Sequence, residues 1–115
     1  MKIFPTIFPR YRVAAGFWLW LLDRYGFDGI ALPTGSIYLR ATEFNNPWLR
    51  EHELQHIKQM HRLGRVRFVA RYFYEMARYG YWQSPLEEEA RRAEWERGDV
   101  RARLMGYRVP VRRAG

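Results

Sequence analysis

His52-Glu53-Leu54-Gln55-His56 constrains this chain more than any other run of residues. On an α-helix, residues four apart stand one above the other, so His52 and His56 aim two imidazoles at one point. Glu53 projects about 100° round from His52, where a carboxylate can meet a water beside a shared cation. The run therefore asks for a helix, and its flanks supply one. Asn46 is a capping residue, Pro47 fits a first turn whose N–H needs no partner, and Leu54, Gln55 and Ile57 are uncharged. The spacing predicts a helix from Pro47 to about Arg62.

Two imidazoles need a further ligand, because a catalytic zinc site takes three protein groups and leaves a fourth position open. The chain has no Cys, which excludes a disulfide framework, a thiolate zinc finger, an iron–sulfur site and a cysteine nucleophile. His61 is the remaining imidazole, but it falls about 140° round the helix from His56. Gln59 stands where the three-histidine form of the motif has Gly. Elimination leaves a later acid, and the later acids concentrate in Glu87-Glu88-Glu89 and at Glu94. Glu94, seven residues after Glu87 and on the same helical face, is a candidate to orient a ligand imidazole from outside. A competing reading makes Glu87 the closing residue of a capping box begun by Ser84. It also pairs Glu87 with Arg91 and Glu88 with Arg92 on a solvated face.

The rest of the chain reads as a small single domain over residues 1–115 of α+β class, mostly helical. Residues 1–12 read as an extended lead-in or short edge strand. Val13–Leu22 is a ten-residue apolar run, too short to span a bilayer, and is expected to be a buried helix packed on the core. Gly26–Leu32 and Ser36–Ala41 flank Pro33-Thr34-Gly35 and read as an antiparallel hairpin, with Ile37, Leu39 and Ala41 on one side and Tyr38 and Arg40 on the other. Val66, Val69, Ala70, Phe73 and Ala77 recur at helical spacing up to Gly80, with Arg67, Arg71, Glu75 and Arg78 as the solvated face. A third helix begins at Ser84 and is expected to end by Gly98, followed by one short helix to Gly106 and a loosely ordered basic tail over 107–115.

With these residues in view, the chain resembles zincin-like metallopeptidases of the gluzincin type. In these, H-E-x-x-H on one helix is completed by a Glu on a later helix within E-x-x-A-D. Glu87-Glu88-Glu89-Ala90 matches the first four positions, and Arg91 replaces the acid. It is also similar to small bacterial and phage-type domains in which the His-Glu helix is followed by Gly-Tyr and Pro-x-Glu-x-Glu-Ala, here Gly80-Tyr81 and Pro85 to Ala90. The resemblance covers roughly residues 36–94. It implies one zinc held by His52, His56 and Glu87, Glu53 as catalytic acid and base, and a peptide substrate added as a strand along Ser36–Ala41. Tyr81, Tyr79, Tyr38 or an Arg near the site are candidate donors to a developing oxyanion, unranked by the sequence.

Charge supplies the rival reading. Lys and Arg number 20 against 12 Asp and Glu, a net +8, and 18 of the 20 are Arg. Guanidinium groups clamp phosphate and carboxylate, so a non-catalytic, zinc-stapled basic module binding nucleic acid or an acidic assembly partner fits the same composition. No targeting signal is evident, which points to a cytoplasmic protein without a membrane partner; membrane-surface attachment through Val13–Leu22 is the alternative, compatible with either reading.

Overall fold

A computed structural model describes residues 9–111. The elements run β1 (Arg10–Val13), α1 (Phe17–Tyr25), β2 (Gly29–Ala31), β3 (Ser36–Leu39), a 3₁₀ turn (Ala41–Glu43), α2 (Pro47–Leu63), α3 (Arg65–Tyr79) and α4 (Pro85–Leu104). The α+β, mostly helical class is as expected. Of the tail, 107–111 form no regular element, and 112–115 lie outside the described residues, as do 1–8 of the lead-in.

The sheet is mixed and has three strands in the order β1-β3-β2. The expected hairpin is present, with Ala31 opposite Ile37 and Gly29 opposite Leu39. It is joined by β1, which runs parallel to β3 with Tyr11 beside Ile37. Thus β3 is central, both its edges are taken, and Ser36–Ala41 cannot accept a substrate strand. That role is open only to an edge strand. Ile37 and Leu39 are fully buried, while Ala41 has left the strand for the exposed 3₁₀ turn. Tyr38, on the opposite face, stacks on Trp18 with ring centroids 4.8 Å apart.

Ile37, Leu39, Ile57, Met60, Phe68 and Leu86 form the core, so the sheet, α2, α3 and the start of α4 share one apolar centre. Helix α2 begins as its sequence dictates: Asn46 Oδ1 accepts from the Trp48 and Leu49 amides at 3.0 and 3.1 Å. Helix α1 corrects an expectation. Within it only Leu22 is buried, and Phe17 and Trp20 are exposed. The helix is nine residues long and rests on the sheet through one side, which cannot cover an all-apolar sequence.

Helix α3 follows its apolar spacing only at Val69, half-buried against the core, although the expected solvated Arg67, Arg71 and Arg78 are exposed. Phe68, Tyr72 and Glu75 face inward, whereas Val66, Ala70, Phe73 and Ala77 face solvent. Inward polar groups with specific partners outweigh the apolar stripe, as the bonds of Glu75 and Tyr72 show below. Helix α4 runs past Gly98 to Leu104 and absorbs the expected short helix. Gly98 is not a stop. A Cβ there would stand 2.9 Å from Trp48 Cα and 2.7 Å from Trp48 Cδ1, so glycine lets α4 close on α2. The Trp48 indole N–H donates to Asp99 at 2.6 Å across the same contact.

Candidate metal centre

The N-terminus of α4 decides where Glu87 goes. Ser84 makes no side-chain capping bond, so the expected capping box does not form. Instead Glu75 Oε1, from α3, accepts from the Leu86 amide and from the Ser84 hydroxyl, each at 2.8 Å. Its Oε2 accepts from Arg71 at 2.7 Å. A carboxylate at a helix N-terminus satisfies free amides and complements the dipole. Burial pushes the Glu75 pKa up, but the Leu86 amide, Arg71 and Ser84 outweigh it and hold the carboxyl below its ordinary value. With the first turn held by Glu75, Glu87 is released to point inward. Among the described residues it makes no ion pair with Arg91.

Glu87 meets both histidines. His52 Nε2 stands 3.0 Å from Glu87 Oε2, and His56 Nε2 stands 3.1 Å from Glu87 Oε1. All three side chains are buried, and their candidate ligand atoms lie within 4.8 Å of one another. A tetrahedral ion with bonds of about 2.0–2.1 Å separates its donors by about 3.3–3.4 Å. The two histidine–glutamate spacings, 3.0 and 3.1 Å, are a few tenths of an ångström from that, and the whole set stays within 4.8 Å. Two imidazole nitrogens and one carboxylate also form a donor set that borderline divalent cations favour. The residues fit a metal ion, and the group His52, His56 and Glu87 is a candidate metal site.

Outer contacts orient these groups. His56 Nδ1 stands 2.9 Å from Gln59 Oε1, while the Gln59 amide nitrogen donates to the Leu86 carbonyl at 2.9 Å and to Glu89 at 3.1 Å. Because the amide nitrogen is committed as donor, Oε1 must accept, which puts a proton on His56 Nδ1; Nε2 also carries one toward Glu87 Oε1 in the metal-free site, and it is this Nε2 proton that a metal ion would displace. Tyr72 donates to Glu87 Oε1 at 2.6 Å. Glu94 Oε1 lies 3.2 Å from His52 Nδ1 but off the direction of a hydrogen bond, so that buried nitrogen has no aligned partner.

Electrostatics follow from this packing. Burial alone would lower both histidines. The Glu87 contact, with Glu94 and Glu53 beside it, overrides burial and pushes His52 up to about 10, and Glu87 and Glu53 likewise raise His56. Burial works against the Glu87 carboxylate too, yet its bonds to His52, His56 and Tyr72 hold it well below the usual carboxylate range. Glu53 is raised, chiefly by burial, although both histidines pull the other way.

Of the other sequence candidates, Glu53 lies on α2 between the two histidines, next to Gly29 of β2: a Cβ on that glycine would stand 3.5 Å from Glu53 Cγ. Tyr81 is pushed up to about 12 by burial, then by Glu87 and Glu53, so it lies within electrostatic reach of the cluster. Tyr38 is carried to the far face of the sheet, and Tyr79 is exposed at the end of α3. Glu89 faces Gln55, Gln59 and Arg62, and Glu88 is exposed. Arg91 donates to the Trp82 carbonyl and lies over the Tyr81 and Trp82 rings, so it pins the α3–α4 turn where an acid was expected. Sequence reasoning missed Gln59, Tyr72 and Glu75. Gln59 had a usable signal, since it lies three residues after His56 and seven after His52 on the same face.

Compared with protein-family models, curated proteins and solved structures, the chain matches none. Fold and site together define a mostly helical α+β domain with a buried candidate metal site of two histidines and one glutamate. Among the described residues, no helix is long and apolar enough to cross a membrane.

Proposed function

We propose that the chain is a zinc-dependent hydrolase of peptide bonds, of the gluzincin type that its His52-Glu53-x-x-His56 run and Glu87 resemble. The observation that carries this reading is the convergence of His52 Nε2 and His56 Nε2 on the two oxygens of Glu87, with Glu53 alongside. His52, His56 and Glu87 would hold one zinc per chain, with the Glu94 carboxylate as an electrostatic neighbour 3.2 Å from the His52 ring. Zinc, when bound, acidifies water and polarises a carbonyl. Glu53 accepts the proton from the attacking water and returns it to the leaving amine. Tyr81 donates to the developing oxyanion.

The substrate is an extended peptide lying along β2. The amide of Leu32 bonds the Ser36 carbonyl, and the Asp28 carbonyl accepts from Arg40. Alternation then turns the N–H and C=O groups of Gly29 and Ala31 away from β3, toward the open edge beside Glu53. Metal analysis and a peptide-cleavage assay test the reading. Glu53→Gln is expected to keep about one zinc per chain and lose hydrolysis, and His52→Ala to lose the zinc. Full zinc occupancy in His52→Ala would end the proposal.

One observation favours a second reading. His52, Glu53, His56 and Glu87 are all less than a tenth exposed, as suits a closed structural zinc that staples a small basic module for nucleic acid or an assembly partner. In that case the zinc-loaded wild type cleaves no peptide, and Glu53→Gln retains both metal and partner binding.

A further inference from the structure

Helix α3 has a second apolar face that the fold leaves uncovered. Its inward side is Phe68, Tyr72 and Glu75. On the other side Val66 and Phe73 are 83% and 68% exposed, and with Ala70 and Ala77 they follow the i, i+4, i+7, i+11 spacing of a single stripe. Beside this stripe, about a quarter turn round, stand Arg67, Tyr74 and Arg78, all exposed, with Arg71 next to them. The helix contains one carboxylate, Glu75, and that is buried and bound by Ser84, Leu86 and Arg71. The outward half of α3 is thus apolar on one flank and cationic on the other, with no exposed acid.

We infer that this outward half of α3 docks on an anionic lipid bilayer surface. Of the available occupants, a bilayer interface offers a hydrocarbon boundary and a sheet of negative headgroups side by side, which is what the two flanks require. A second copy would bring a second net +8 and a second row of arginines to the contact. A nucleic acid would leave Val66 and Phe73 without an apolar partner. Val66 and Phe73 enter the headgroup–acyl boundary, Tyr74 lies at headgroup level, and Arg67 and Arg78 meet the headgroups. This places membrane attachment on α3 rather than on Val13–Leu22, and it does not depend on the metal reading.

Co-sedimentation of the full chain with phosphatidylcholine vesicles, with and without phosphatidylglycerol, tests the inference. Wild type is expected to bind the anionic vesicles, less so as salt rises, and to bind neutral ones weakly. Val66→Ser with Phe73→Ser should weaken anionic-vesicle binding by about tenfold or more, since two apolar side chains are withdrawn from the interface. Arg67→Gln with Arg78→Gln should remove most of the preference for anionic lipid. Circular dichroism and metal content should stay at wild-type values in both, because the four positions are exposed. The inference is overturned if the Val66/Phe73 variant binds like wild type. It is equally overturned if Phe17→Ser with Trp20→Ser in α1 abolishes binding while the α3 variants do not. Light scattering showing a dimer that the Val66/Phe73 variant dissolves would assign the stripe to a second copy instead.

Discussion

Glu75 caps the helix that carries Glu87. Its Oε1 takes the Leu86 amide at 2.8 Å, one residue before Glu87, and so does the work that the sequence pattern gives to Ser84 and Glu87. The consequence is a division of labour between two acids. An α3 carboxylate holds the backbone of α4, and an α4 carboxylate is left to face the two histidines of the candidate metal site.

Replacing Glu75 by Gln keeps its shape and one acceptor but removes the charge that holds the Leu86 amide, Ser84 and Arg71. A buried, charge-assisted bond of this kind contributes about 2 kcal/mol, so Glu75→Gln should lose about that much in a urea unfolding curve at neutral pH. The sign of the pH effect follows from a lowered folded-state pKa. The stabilisation is complete above the ordinary carboxylate value of about 4.5 and is lost as pH falls toward the folded value. The gap between wild type and Glu75→Gln should therefore narrow below pH about 4.5. A gap constant down to pH 2 would show that the carboxylate is not the source.

Gln59 holds the proton on His56 Nδ1, so its removal should appear in metal affinity before it appears in fold. Gln59→Leu leaves the His56 Nδ1 proton and the Leu86 carbonyl without their partner. Loss of such an outer contact typically weakens metal binding 10–100-fold. Chelator competition for zinc should show a change in that range, with no loss of helical signal.

Tyr72 offers a separable test, since phenylalanine keeps the ring packed against Phe68 and His56 and deletes only the hydroxyl. Tyr72→Phe removes one of the donors to Glu87 Oε1, worth about 1.5–3 kcal/mol for a bond to a charged group. Thermal unfolding should report a loss in that range for the metal-free protein. An unchanged midpoint would mean the Tyr72–Glu87 bond contributes nothing net.

How much of this was legible in sequence depends on whether the determining partner was local. The α2 cap, the histidine pair and the hairpin are set by residues within a few positions of one another, and they appear where the spacing put them. Helix α3 was misread because periodicity counts apolar residues and is blind to a buried Glu75 whose partners lie nine and eleven residues on. The parallel pairing of β1 with β3 joins residues 26 apart, such as Tyr11 and Ile37, and no local pattern announces it. Gln59 was passed over because its value comes from α4, through Leu86 and Glu89.

Gly98 tests the same lesson in the opposite direction. In the interior of an exposed helix, Gly→Ala stabilises by about 1 kcal/mol, and local reasoning alone would recommend the change in α4. Here the added methyl meets the Trp48 backbone at 2.9 Å, and the ring edge at 2.7 Å cannot yield freely while the indole N–H is bound to Asp99. To admit it, α2 and α4 must separate, and these two helices carry His52, His56 and Glu87. Overpacking of this kind costs about 1–3 kcal/mol, enough to reverse the propensity gain. Gly98→Ala should therefore lower the unfolding midpoint and weaken zinc binding together. A variant that is stabilised, with its metal affinity intact, would show that the α2–α4 distance has slack and that the ligand geometry does not depend on this contact.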